Sequence, residues 1–152
     1  MNITLPDSSP LAIDLKRYIR AIGSTEIVDT REAADATLEV LADPEKTRTK
    51  SILSLNSNGR VREYQLGYSI QFRVVDKAGN QLLGLTNIGL TRPITFNESQ
   101  VLAKETEEAA LYRDMRNDLV QQIMRRLAAI KPVLPAMSVA PVTPVAPAAP
   151  QQ

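Results

Sequence analysis

Arg60, Arg62, Arg92 and Lys104 are the side chains best placed to do chemistry in this sequence, and that chemistry is the capture of an anion. Guanidinium and ammonium groups donate to phosphate oxygens, Arg through a planar fork and Lys as a point charge. Arg60 and Arg62 follow Asn58-Gly59, Arg92 closes a strand-like run, and Lys104 stands in the first turns of a helical stretch. A helix dipole favours an acid at that end, so the position of Lys104 carries a small cost. The same four residues also suit ordinary solubilising charge.

Bond-making chemistry has no comparable candidates. Neither His nor Cys occurs, which removes thiol nucleophiles, disulfides, the usual zinc ligands and the commonest general base. Glycine-rich phosphate loops and nucleophile elbows are missing. Carboxylates pair at Glu107 and Glu108 and at Asp114 and Asp118, where partners such as Arg113 or Arg116 account for them. A non-enzyme without metal or cofactor is expected. The 18 basic and 17 acidic residues leave a net charge of +1, so any basic patch comes from arrangement rather than excess. No apolar run approaches the roughly 18 residues of a membrane-crossing helix, and no signal peptide opens the chain.

These residues depend on a strand. From Tyr64 to Val74 every even position is apolar, whereas the odd positions from Glu63 to Arg73 are polar or glycine. That period of two predicts the central strand of an antiparallel sheet, with Tyr64, Leu66, Tyr68, Ile70, Phe72 and Val74 under helical cover. Nucleic-acid binding is disfavoured, because stacking aromatics on such sheets should point outward. Asn58-Gly59 predicts a two-residue type I′ hairpin turn. That turn sets Leu53 opposite Tyr64, Leu55 opposite Arg62 and Thr49 opposite Tyr68. It also leaves Lys46, Arg48, Lys50, Gln71 and Arg73 on the open face, away from the helices, with Arg60 and Arg62 at the tip.

A second hairpin is expected at Lys77-Ala78-Gly79-Asn80, with Leu83 opposite Val74, Leu85 opposite Phe72, a bulge near Thr86-Asn87, and pairing stopped at Arg92-Pro93. Ile3 to Leu5, Glu26 to Asp29, Ala36 to Leu41 and Lys46 to Leu55 are further strand candidates. Ser9-Pro10 starts a helix ended by Gly23, with an apolar stripe of Leu11, Leu15, Tyr18, Ile19 and Ile22. Asn97 to Gln100 caps a long helix from Val101 to Ile130, striped by Tyr112, Met115, Leu119, Ile123, Leu127 and Ile130. Asn97 also heads an Asn-X-Ser sequon, for which capping is the preferred role. Residues 1–131 therefore read as one α+β domain, a mostly antiparallel four-stranded sheet with two helices on one face. Residues 132–152 read as a disordered Pro/Ala-rich tail.

Three stretches, in this order, carry a resemblance: Ser9-Pro10-Leu11 leading to Arg17 and Arg20; Asn58-Gly59-Arg60-Val61-Arg62-Glu63-Tyr64-Gln65; and Leu102-Ala103-Lys104-Glu105, continuing through Met115 to Gln121-Gln122-Ile123-Met124-Arg125-Arg126-Leu127. Together they resemble the LPS-assembly lipoprotein (LptE) family of Gram-negative outer membranes. The resemblance implies a lipid-anchored, non-enzymatic subunit on the periplasmic face of the outer membrane. Such a subunit plugs and helps assemble the LPS-assembly β-barrel and binds lipopolysaccharide. It implies basic residues at the hairpin turn and at the Leu-Ala-Lys motif; Lys104 matches the second, whereas the first falls on Ser57, with Arg60 and Arg62 as substitutes. The family's N-terminal lipidated cysteine has no counterpart here, which trimming after that cysteine explains most simply. A plug without lipid contact and a periplasmic peptide-binding module remain as alternatives.

Overall fold

The computed structural model describes residues 1–130; the expected tail at 132–152 lies outside the described residues. The elements run β1 (Asn2–Ile3), α1 (Pro10–Ile22), β2 (Ala36–Ala42), β3 (Thr49–Leu55), β4 (Val61–Asp76), β5 (Gln81–Thr95), a single 3-10 turn (Glu98–Gln100) and α2 (Val101–Ala128). The fold is α+β, as expected. The sheet is mixed, because β1 pairs with β2 in parallel, and it has five strands rather than four.

The alternating strand is the axis of this sheet. β4 pairs through residues 61–67 with β3 and through 71–76 with β2, so those two short strands share one of its edges. β5 runs antiparallel to β4 from Thr95 opposite Glu63 to Gln81 opposite Val75, along the other edge. The even side chains of β4 fill the core: Leu66, Tyr68, Ile70, Phe72 and Val74 are all nearly inaccessible, with Tyr64 half-buried. Leu11, Ala12, Leu15 and Ile19 of α1, with Met115, Leu119, Val120 and Ile123 of α2, cover that face. Each such aliphatic or aromatic side chain contributes about 1.5–3 kcal/mol on burial.

Several local expectations are corrected. Tyr18 and Ile22 are exposed, whereas Asp14 of α1 is turned inward. The Ser9 hydroxyl makes no capping bond and is buried without a partner; the backbone of Ser9 binds Pro6 and Ile13 instead. Asn97 caps the 3-10 turn before α2, its Oδ1 accepting from the Ser99 amide at 3.0 Å, whereas Gln100, at the start of α2 itself, makes no side-chain capping bond. Glu26 to Asp29 forms no strand, although the Val28 amide donates to Met1 O at 3.0 Å. The shift between Val74↔Leu83 and Phe72↔Thr86 puts the β5 bulge just before Thr86, leaving Leu85 unpaired and exposed. Pro93 does not stop pairing, and β5 continues to Thr95. Its outer edge pairs with no strand among the described residues, so a missing donor there is tolerated.

The first hairpin differs by one residue, and that difference decides which face the basic residues occupy. The Asn56 amide donates to Arg60 O at 2.8 Å, closing a loop of Ser57, Asn58 and Gly59. Gly59 alone of the three is left-handed, at φ 73°, and Asn58 has no positive φ, so the turn is not type I′. Asn56 Oδ1 fixes the loop by accepting from the Asn58 and Arg60 amides. Ile52 therefore faces Tyr64, Lys50 faces Leu66 and Thr49 faces Gly67. A one-residue slip sends every side chain to the other face.

Candidate functional site

The slip moves Lys50 and Arg48 from the expected open face to the helix side. Lys50 Nζ lies 4.7 Å from the Tyr64 ring centroid and donates to Glu108 of α2 at 2.6 Å. The Arg48 guanidinium sits over the rings of Tyr112 and Tyr68, at 4.6 and 5.7 Å. Lys46 is on neither face, because its amide closes a turn on Asp43 before β3 begins. Only Gln71 and Arg73 keep the expected placement, and Arg73 donates to Glu39 at 2.6 Å. That bond, with help from Arg31, holds the Glu39 carboxyl below the usual range. The open face consists mainly of Thr49, Ser51, Gln65, Gly67, Ser69, Gln71, Asn87, Gly89 and Thr91. It is polar and nearly uncharged rather than cationic.

The basic residues instead gather where the β3–β4 hairpin, the end of β5 and the first turns of α2 meet. A cleft of about 200 Å³ lies there, lined by Lys50, Tyr64, Ile94, Phe96, Val101 and Lys104 among others. Tyr64 and Phe96 form its floor, edge to face with centroids 5.6 Å apart. Lys104 Nζ donates to Thr95 Oγ1 at 2.9 Å and to Glu107 at 2.7 Å. Arg60 reaches Glu98 at 3.4 Å, both side chains being about two-thirds exposed. Arg62 is tied in through its backbone, which accepts from the Phe96 amide at 2.8 Å, and its guanidinium has no ion pair among the described residues. Arg92 does not join this group: it faces α2 and donates to Asp118 at 2.9 Å.

The pairs at this end differ. The exposed Arg60–Glu98 pair contributes about 0–1 kcal/mol, whereas the Lys104 side chain is only 18% exposed and is held by both Thr95 and Glu107. Large exposed aliphatic side chains occur at this end on both faces, with Ile52 opposite Tyr64 on the helix side and Leu55 opposite Val61 on the open face. Ile52, Leu53 and Leu55 of β3 are 59%, 48% and 55% exposed, and Leu102 of α2 is 80% exposed.

A second polar cluster was not legible in the sequence. Arg116 of α2 donates to Asp14 of α1 at 2.8 Å and lies 3.7 Å from Glu45. Glu45 accepts from the Tyr68 hydroxyl at 2.6 Å and pairs with Arg48. The Tyr112 hydroxyl donates to Thr49 O at 3.0 Å. Every group has a partner within the protein, so the cluster fastens both helices to the sheet and leaves no open position for a ligand.

Burial, then the bond to Glu45, pushes the Tyr68 hydroxyl well above its ordinary 10.0. A folded pKa above the unfolded one means stability that is complete below about pH 10 and is lost as pH rises beyond it. Urea midpoints should therefore fall above pH 10. A Tyr68→Phe chain, about 1 kcal/mol less stable at neutral pH, should show a shallower fall. Equal slopes in the two chains would contradict this role for Tyr68.

With this geometry established, comparison with known proteins decides the family. A family profile described as LptE, lipopolysaccharide-assembly, matches residues 2–127. The chain belongs to the LptE family. The LPS-assembly lipoproteins LptE of Yersinia pestis (strain Pestoides F) and Yersinia pseudotuberculosis (serotype O:1b, strain IP 31758) are each 29% identical over 121 residues. That alignment covers 80% of this chain and 56% of each relative, so the chain spans little more than half their length. Among solved structures, lipoprotein B of Nitrosomonas europaea is similar with TM-score 0.73 and 38% identity, over 84% of this chain and 81% of that one. The rare lipoprotein B of Shewanella oneidensis follows with TM-score 0.66 and 26% identity, over 84% of this chain and 94% of that one. LptE membership agrees with the α+β architecture, and no described helix is long and apolar enough to cross a membrane.

Proposed function

We propose that this chain is the folded domain of a non-enzymatic outer-membrane subunit that binds lipopolysaccharide by its head group and seats against the LPS-assembly β-barrel. The observation that carries this reading is the gathering of Lys104, Lys50, Arg60 and Arg62 at the hairpin end, with the exposed Ile52 opposite Tyr64 and the exposed Leu102 at the start of α2. Arg62, the exposed Arg60 and Lys104 meet the phosphates of lipid A, displacing the divalent cations that bridge them. The bare aliphatic side chains cover the acyl carbons nearest the head. The core behind the sheet is filled by α1 and α2, so acyl chains stay at the surface.

The open face supports the second half of the proposal. Barrel lumens are wet and hydrogen-bonding, and a wall of Thr, Ser, Gln and Asn side chains matches that lining without carrying unpaired charge into it. Gln71 and Arg73 belong to this face, whereas Lys46, Arg48 and Lys50 are withdrawn from it. A lipid anchor preceding the domain would hold it on the periplasmic side of the outer membrane.

Titration of the chain with phosphorylated and dephosphorylated lipid A tests the head-group contact. Affinity for the phosphorylated form should be the higher, and should fall steeply as the Debye length shrinks from roughly 30 Å to 3 Å between about 0.01 and 1 M salt. Equal, salt-independent affinities would leave the chain as a plug without lipid recognition.

A further inference from the structure

The outer edge of β5 is a second recognition surface, and its chemistry is that of the backbone. Thr86 to Thr95 stay in unbroken register with Phe72 to Glu63 of β4. The Phe96 amide donates to Arg62 O, so in this register the even residues of β5 commit their amides and carbonyls to β4. Alternate residues of an antiparallel pair make no bond to the partner strand, so Asn87, Gly89 and Thr91 turn their N–H and C=O groups outward. Pro93 belongs to the same outward set, where its missing N–H removes no ladder bond. Thr91 O agrees with that direction, accepting from the Arg92 guanidinium at 3.0 Å. No strand among the described residues pairs with this side of β5.

Proteins blunt such edges with lysine, proline, bulges or short strands. Here the guards stand at the two ends: the bulge before Thr86 and the Arg92-Pro93 pair. The window between them, Asn87-Ile88-Gly89-Leu90-Thr91, is uncharged and regular. Its central glycine is not demanded by the fold. Gly89 has no positive φ, and a Cβ there would meet only Ser69 Cβ, at an ordinary 3.8 Å. Gly67 differs, since a Cβ on it would collide with Thr49 Oγ1. A strand glycine that its own neighbours do not require marks a place where another backbone comes close.

What fits this window is a single extended strand. α2 stands over β5, joined to it by Asp118 on Arg92 and Lys104 on Thr95. A second copy paired through a twofold would set its own α2 beside this one at close to the strand spacing of roughly 4.8 Å. Packed helices need about 8–10 Å. A lone strand brings no helix, and its side chains alternate between the neutral open face and the flank of α2. On that flank Asp114, one turn before Asp118, is exposed and has no ion pair among the described residues, while Leu90 and Leu111 are half-buried. We propose that residues 87–91 bind an extended peptide segment of a partner protein by strand addition. Its small or polar side chains lie on the open face, and its apolar and basic ones lie toward α2. This site goes beyond lipid capture at the hairpin end and does not depend on it.

The probe is the blocked heptapeptide Thr-Lys-Thr-Val-Thr-Lys-Thr, titrated into the full isotope-labelled chain. In the free chain the amides of Asn87, Gly89 and Thr91 should exchange with deuterium faster than those of Ile88 and Leu90. With peptide they should become protected and shift, while the signals of Arg60 and Lys104 stay in place. N-methylating one alternate set of peptide amides should weaken binding about tenfold or more, whereas methylating the other set should leave it within a few-fold. Asp114→Lys should reverse the preference for this peptide over its glutamate counterpart. Two methylated peptides of equal affinity would overturn the proposal, as would an absence of shifts at Asn87, Gly89 and Thr91. Outward amides already as slow as Ile88 and Leu90 in the free chain would also overturn it, since the edge would then be closed. So would protection that appears only as protein concentration rises, the occupant then being a second copy.

Discussion

Replacing Arg116 by methionine lowers the stability of the domain by about 3 kcal/mol. Arg116 holds two carboxylates, Asp14 at 2.8 Å and Glu45 at 3.7 Å, and all three side chains are less than a fifth exposed. Methionine fills similar volume but leaves both carboxylates short of a partner in a poorly solvated place, which is the expensive way to break such a cluster. Asp14 retains Arg17, and Glu45 retains Tyr68 and Arg48, so the loss sits at the lower end of the range for buried pairs. Adding Asp14→Leu should recover part of it by removing one orphaned charge. Urea denaturation reads the effect directly: with a slope of about 1–3 kcal/mol per molar, the midpoint falls by roughly 1 M or more. A loss under about 1 kcal/mol would mean that packing alone holds α1 and α2 on the sheet.

Reversing charge at both ends of the basic cluster, with Arg60→Asp and Lys104→Asp together, should weaken lipopolysaccharide binding by about 100-fold or more. Each lost charge-assisted hydrogen bond is worth about 1.5–3 kcal/mol, and each new carboxylate repels the phosphate its predecessor bound. The fold should survive, because Arg60–Glu98 is a surface pair of little energetic weight and Lys104 pairs with a half-exposed Glu107 that water can solvate. Circular dichroism and the urea midpoint check that separately. Arg92→Asp is the comparison that matters: Arg92 is held on Asp118 rather than in the cluster, so its reversal should leave lipid affinity within a few-fold. Equal losses from Arg92→Asp and from the double reversal would mean that net charge, not the hairpin site, governs binding.

The central strand was legible because its signal is local and repeated: six even positions from Tyr64 to Val74 are apolar, and the core follows that period. The position of the first hairpin was legible for the same reason, but its loop length was not. Asn58-Gly59 favours a two-residue turn, yet Asn56 supplies an acceptor for two loop amides and so stabilises a three-residue loop. That single extra residue moved Arg48 and Lys50 to the helix side and left the open face neutral. Of the expected lipid-binding residues, Arg60, Arg62 and Lys104 are brought together, whereas Lys50 joined them only through the register. Arg92 was misplaced because β5 runs on through Pro93 as an edge strand. The Asp14–Arg116 contact spans 102 residues, and neither residue is distinguishable in sequence from a solvated helix charge. One hint was available: a tyrosine at position 68 on a core face needs a polar partner for its hydroxyl, and Glu45 is that partner.

Photocrosslinking of lipopolysaccharide to a light-activated residue placed singly at Leu102, Ile52, Ser69 or Ile22 tests most directly whether the hairpin end is where lipid is held. Adducts are expected from Leu102 and Ile52, at the basic end, and none from Ser69 on the open face or Ile22 at the far end of the sheet. Adducts from Ile22 or Ser69 with none from Leu102 and Ile52 would contradict lipid capture at the hairpin end.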